Sequence, residues 1–527
     1  MHLAKERIGG SYAKYVLLIM VCVHMLNLID RQILSILSEE IKADLGVTDA
    51  QLGFLYGTSF AAFYAIFGLP IGRLADSWIR KNIIAIGLSF WSVMTFLSGT
   101  ANSIWALAFY RFGVGAGESS GTPASYSLLS DWFSPEKRAS VLSIYSSGAF
   151  VGMGVSLGLG GLIVDFWKNQ YPVVATAPFG LEAWQVTFMV VGFPGILLAL
   201  LVYKMREPQR GITEGIRNIE HPKPIREACV EVLTVIPPFS IYTLYLSKRD
   251  WTKEVGINLG FAGAMCVLCF GLIIITGDFA QWAVLSVAIY CLFSWTQLLK
   301  VRDPPTYGLM FKSKAIRYVN LSYPLCTTIV YSYSFWVTPY FLRSFDLGIA
   351  EVGLTLGLTL ALCGGGGVAV GGFFADRLRK HRPDLHVYMA VISAVLTSFS
   401  ALALLGAQTV NSAYIANACV QFSAVLWSGA GSSLVTELVL PRMRATSSAF
   451  YVAISSVVGL ALGPYLVGFV SDSCTSSGME PSRALKYGLG LVLSIYVAII
   501  YFAIRARSFY QDDFISKISR ARDFGES

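Results

Sequence analysis

The stretch Tyr110–Arg138, YRFGVGAGESSGTPASYSLLSDWFSPEKR, decides how the rest of the chain is read. It continues an apolar run that begins near Ile104, yet it carries Arg111 and Glu118 among Gly113, Gly115, Gly117 and Gly121. An ionised side chain at mid-bilayer costs roughly 2.5–3.5 kcal/mol on insertion scales, so such residues persist where they face a partner or a watered cavity. Arg111 and Glu118 stand two helical turns apart and therefore share one face. The glycines let a second backbone approach closely. The expectation is a helix seam that carries function.

Composition sets the class around that seam. Of 527 residues, 55% are apolar and only 14% charged, and the mean hydropathy is +0.60. Apolar runs at about 15–37, 51–75, 81–100, 103–127, 139–165, 183–204, 256–276, 279–299, 320–342, 350–375, 386–406, 410–436, 445–471 and 484–504 are each long enough to span a bilayer. The chain is predicted to be an all-α polytopic membrane protein of about 14 transmembrane helices. Cys229–Leu246 is short and broken by Pro237-Pro238, and it reads as cytoplasmic or interfacial. With both termini placed inside, 33 of the 40 Lys and Arg fall on the cytoplasmic side. The outer loops keep Lys42, Lys168, Arg343, Arg483 and Lys486, as the positive-inside rule asks.

The net charge of +8 is thus explained by topology, and no nucleic-acid partner is expected. Cys266 and Cys269 have no His or carboxylate nearby in sequence, so neither a metal nor a cofactor is expected. Tyr15–Leu37 is interrupted by Asp30-Arg31 and lacks a small-residue cleavage site, so it reads as a span and not a signal peptide. Gly117-Glu-Ser119-Ser-Gly121 matches the nucleophile elbow of hydrolases, but that motif needs a strand, a turn and a helix. Inside an apolar helix it is spacing, and no enzyme is expected.

An internal repeat follows. Gly72-Arg-Leu-Ala-Asp76 returns as Gly372-Phe-Phe-Ala-Asp376, each trailed by basic residues, Arg80-Lys81 in one case and Arg377, Arg379 and Lys380 in the other. Leu128-Leu-Ser-Asp131 with Pro135 and Arg138 matches Leu434-Val-Thr-Glu437 with Pro441 and Arg444. Asp165 and Asp472 then close corresponding spans. Near-constant offsets imply two six-helix bundles in parallel repeat. The expected layout is an N-terminal bundle over 1–204, a C-terminal bundle over 320–504 and a cytoplasmic tail over 505–527. Between the bundles, 205–319 would be a cytoplasmic linker with two inserted helices at about 256–276 and 279–299.

On these residues the chain resembles the major facilitator superfamily. The 72–81 segment is similar to its loop signature, with Ile79 in place of the second glycine, and Arg111-x-x-x-Gly115-x-Gly117 is similar to its fourth-helix motif. The glycine-rich fifth helix lacks the Gly-Pro of the antiporter motif. Within the superfamily, Asp30-Arg31 and the run from Arg111 through Gly158 are similar to the spinster family of lysolipid and sphingosine-phosphate transporters. The inserted pair suggests a bacterial-type branch.

Asp30 and Arg111 lie at similar estimated depths, roughly 10 and 12 Å from the outer ends of their helices at ~1.5 Å rise per residue. Because the first and fourth spans are neighbours in the resembled fold, an Asp30–Arg111 pair is expected, with Glu118 a turn or two deeper. Asp30, Glu118 and Arg111 are the candidates for proton coupling. Moving an arginine toward or away from a carboxyl in a low-dielectric site switches its proton affinity. Arg31 and Arg111 suit a phosphate through the bidentate fork. Arg31, Arg111 and Glu118, with Tyr331, Trp336 and Trp427 from the uncharged second half, are the candidate substrate contacts. Asp76, Arg80, Asp131, Arg138, Asp376, Glu437 and Arg444 are the candidate gate, with Asp76 and Asp376 capping a helix or pairing with Arg138 or Arg444.

The resemblance implies a proton-coupled secondary transporter of an amphipathic anionic lipid, working as a monomer in the inner membrane among membrane lipids. The alternatives are a small organic anion or drug transporter on the same fold, or a non-transporting membrane receptor or enzyme.

Overall fold

A computed structural model describes residues 9–210, 224–246, 251–382 and 384–525. All regular structure in these residues is helical. Among the described residues, twelve segments are long and apolar enough to cross a membrane. Two further helical stretches coincide with the other two runs read as spans. One is the fourth span, Ile104–Glu118 continued by Gly121–Trp132, and the other is the seventh core span, Lys314–Ser344. Both carry polar or charged residues that lower their mean hydropathy. The Cys229–Leu246 region forms Pro224–Val235 and Phe239–Leu246, of 12 and 8 residues, each too short to span.

Local chemistry sets the ends. Ser103 and Ser313 cap the fourth and seventh spans by accepting from the amides of Ala106 and Ile316. Span two starts with a capping box between Thr48 and Gln51, and is interrupted at Gly57 between Asp49–Tyr56 and Thr58–Ser77.

The chain divides into two compact units. The first comprises Met1–Leu45, Phe67–Glu231 and Gly348–Ala361; the second comprises Gly46–Ile66, Val232–Leu347 and Leu362–Ser527. The units do not follow the sequence halves. With the core spans numbered without the inserted pair, so that spans eight, ten and eleven are Ile349–His381, Val410–Glu437 and Pro441–Ser476, the beginning of span two belongs to the second unit and the beginning of span eight to the first. Within the first unit, Ile349–Thr359 packs on span five (Pro135–Gln170), where Gly154 and Gly357 face each other's backbone. Span one (Ser11–Leu45) packs on the same helix through Gly148 and Gly152, where any side chain would meet Val21 and Met25. Within the second unit, Asp49–Tyr56 packs on Ala461–Ser476 of span eleven, with Gly53 against Pro464 and Gly468 against the Asp49 carbonyl.

In the glycine run near Gly364–Gly367, Gly367 packs on a neighbouring helix while a Cβ on Gly366 would meet nothing. Gly367 and Gly371 of Gly365–His381 lie against the carbonyls of Phe422 and Leu426 in span ten, whereas a Cβ on Gly372 would meet nothing. Gly371→Ala should therefore cost about 1–3 kcal/mol from overpacking. Gly372→Ala, one residue away, should cost nothing, and thermal melts of the two variants in detergent check the contrast.

Candidate functional site

The four charged residues of spans one and four come together in the first unit. Asp30, Arg111 and Glu118 are at most 1% exposed and Arg31 9%. Arg31 Nη2 donates to Glu118 Oε2 at 2.8 Å. Arg111 Nη1 donates to the main-chain carbonyl of Asp30 at 3.0 Å. Glu118 and Arg111, with Trp91 and Thr95 of span three, flank Asp30. Arg31, Arg111 and Asn27 flank Glu118.

Arg31 thus pairs with the Glu118 carboxylate, and Arg111 meets Asp30 at its main-chain carbonyl. Consecutive side chains on a helix diverge by about 100°, so Arg31 swings toward span four while Asp30 turns toward span three. Asp30 Oδ1 and Glu118 Oε1 are buried without a hydrogen-bond partner. A buried polar atom in that state is costly and asks for a proton or a ligand.

Between Glu118 and Gly121 the helix breaks. Ser119 and Ser120 turn their hydroxyls onto the carbonyls of Ala116 and Gly117. The elbow-like motif is therefore a helix interruption held by its own serines. His24 stacks on Tyr145 with ring centroids 4.4 Å apart.

At the far end of span four two of the expected gate residues, Arg80 and Asp131, pair with each other, whereas the expected Glu437 is met by Arg379, which the sequence reading did not place in the gate. Arg80, 1% exposed, holds Asp131 at 2.5 Å and Glu207 at 2.7 Å, and donates to the carbonyls of Ser127 and Pro208. The counterpart in the second unit is Arg379 with Glu437 at 3.2 Å. Glu437 also accepts from Tyr510 at 2.6 Å. Asp376 and Arg444 are exposed, and Arg138 donates to the Ser130 carbonyl of its own unit. The side chain of Asp76 lies outside the described residues. In the loop after Gly365–His381, burial pushes the Asp384 carboxyl up, but hydrogen bonds from Arg507 and the charges of Arg382 and Arg507 outweigh it. Asp384 sits below the usual carboxylate range and is ionised at neutral pH.

The aromatic candidates all belong to the second unit. Trp336 is fully buried and donates to the Pro464 carbonyl at 2.7 Å. Trp427 donates to Ala424 within its own helical stretch, and Tyr331 is half-buried. Trp336 and Trp427 thus have their indole N–H groups engaged in packing.

One cluster escaped the sequence reading. Arg343, counted there as a loop cation, is the last-turn residue of Lys314–Ser344 and grips Asp49 with two 2.7 Å bonds. Ser471 donates to Asp49 at 2.7 Å, and Asp472 accepts from the amides of Asp49 and Ala50 at 3.0 and 2.7 Å. The capping box at Thr48 was the available signal, since it marks Asp49 as a first-turn residue whose amide is free to donate to a capping carboxylate.

The Major Facilitator Superfamily model matches residues 20–464. The chain belongs to the Major Facilitator Superfamily. It is a multi-pass membrane transporter protein of that superfamily, and not an enzyme. An MFS-type efflux pump of Mycolicibacterium smegmatis is 25% identical over 521 residues, covering 97% of this chain and 96% of that one. Protein spinster homolog 1 of Xenopus tropicalis is 24% identical over 93% of this chain and 80% of its own length. A probable L-galactonate transporter of Escherichia coli is 22% identical over 86% and 82%. Among solved structures, a bacterial homolog of the human lysosomal transporter spinster shares the fold, with a TM-score of 0.65 at 23% identity over 97% of this chain and 98% of that chain.

Proposed function

We propose that this superfamily member is a proton-coupled secondary transporter of an amphipathic anion, a lysophospholipid or sphingoid-phosphate-like lipid, working by alternating access in the inner membrane with both termini cytoplasmic. The observation that carries the reading is the buried cluster of Asp30, Arg31, Arg111 and Glu118 in membrane-spanning helices. A buried ion pair seldom adds net stability over apolar packing, so its presence points to use. The carboxyl oxygens without partners, Asp30 Oδ1 and Glu118 Oε1, are places for a proton. Arg31 is the group that an anionic headgroup would draw away from Glu118. Once Arg31 turns to the headgroup, Glu118 loses its cation and takes a proton, which links substrate to proton.

Asp30→Asn and Glu118→Gln are expected to abolish uptake driven by a pH gradient in proteoliposomes. Retention of gradient-driven uptake in both variants would sink the coupling. A second reading, transport of a small sugar acid, is favoured by the galactonate-transporter relative. Labelled lysolipids and organic anions offered to the same vesicles separate the two. Strong small-anion uptake without any lipid uptake overturns the lipid assignment.

A further inference from the structure

The two inserted helices, Trp251–Thr276 and Phe279–Arg302, have no counterpart in the repeat. Within the second unit the latter is attached to two different spans. Gln281, 1% exposed, accepts at 2.6 Å from the hydroxyl of Thr58, the first residue of the longer helix of span two, and that hydroxyl also lies 2.9 Å from the Ala461 carbonyl of span eleven. Just ahead of the inserted helix, Asp278 accepts from the Tyr465 hydroxyl of span eleven at 2.6 Å, and Trp282 stands edge-on to the Tyr465 ring. Two turns earlier in span two, Asp49 is gripped by Arg343 and Ser471. Between these anchors, Gly53 and Gly57 lie directly on the main chain of Pro464 and Leu460.

The Asp49, Gly53, Gly57 and Thr58 contacts join a segment of the first repeat, Gly46–Ile66, to elements outside that repeat, and the Asp278 and Trp282 contacts fix the hairpin itself on span eleven. Span two then continues beyond Ile66 into the first unit. The corresponding segment of span eight, Ile349–Thr359, packs on span five through glycines instead, and no inserted helix lies beside it in sequence. Separating Gly46–Ile66 from span eleven would break these contacts, those of the inserted helix and of Arg343 included.

We propose that the inserted hairpin is a clamp: Gln281 and Asp278 hold the Asp49 end of span two against span eleven and bias the transporter toward the conformation closed at that end. This inference rests on the alternating-access reading. A buried hydrogen bond is worth about 0.5–1.5 kcal/mol net, so loss of the Thr58–Gln281 bond should shift the closed-to-open ratio roughly twofold to twelvefold.

The test uses the full-length protein with its nine cysteines replaced and spin labels at the exposed positions Ala43 and Ser476. Distance distributions are read by double electron–electron resonance in nanodiscs. Thr58→Val and Gln281→Leu should enlarge the long-distance population by that factor, and Arg343→Gln should enlarge it further. Thr58→Ser, which keeps the hydroxyl, should restore the parental distribution. Lys300→Gln, which breaks a rim pair with Glu254 inside the hairpin, should leave it unchanged. If the parent shows two populations and Thr58→Val and Gln281→Leu match it, the clamp is overturned while alternating access stands. If the parent shows one population under every pH and substrate condition, both ideas fall together.

Discussion

Glu118→Leu should lower the stability of the folded protein by about 3–5 kcal/mol, because it leaves the Arg31 guanidinium buried without its carboxylate. The double variant Arg31→Met with Glu118→Leu should recover most of that loss, since an apolar pair of similar volume carries no desolvation penalty. Both variants should be inactive in gradient-driven uptake. Thermal melts in detergent, read beside uptake in proteoliposomes, make the distinction. A stable double variant that no longer transports identifies the pair as functional machinery. Equal destabilisation of the single and double variants would instead mean that the pair holds spans one and four together.

The second large effect lies at the other end of span four. Arg80→Ala should cost a further 3–5 kcal/mol or so, since Asp131 and Glu207 both lose the cation that a buried site supplies. Arg80→Lys should recover little of it, because the Arg80 guanidinium serves two carboxylates and two carbonyls through separate N–H groups, and a single ammonium cannot. Arg379→Ala, in the loop signature of the second repeat, should cost under about 1 kcal/mol, because that side chain is 51% exposed and solvent screens its pair with Glu437. Melting temperatures of the three variants test the asymmetry. Equal losses for Arg80→Ala and Arg379→Ala would show that the two pairs bear the same load.

The repeat makes this contrast instructive. The offset between Asp131 and Glu437 announced two equivalent acids, and each does meet an arginine from the loop signature. How deeply each pair is buried depends on what covers it. Arg80 is covered by the Glu207-Pro208 segment that follows span six, whereas Glu437 is reached by Tyr510 and His386. No local pattern in either half encodes those neighbours.

The helices themselves were legible because a bilayer demands long apolar runs with satisfied backbones, and that demand is written residue by residue. The charges of Asp30, Arg31, Arg111 and Glu118 were legible for the same reason, since each violates the apolar rule. The pairing among them was not. It depends on the rotation of span one about its axis, where neighbouring residues point about 100° apart, so depth alone could not choose between Arg31 and Arg111. The Asp49–Arg343 grip and the Thr58–Gln281 bond join residues 294 and 223 positions apart in the chain. Sequence thus determined what must cross the membrane and which side chains must find partners there. The tertiary structure alone decided the partners, because side-chain bonds act over about 3 Å and only packed helices set distances that fine.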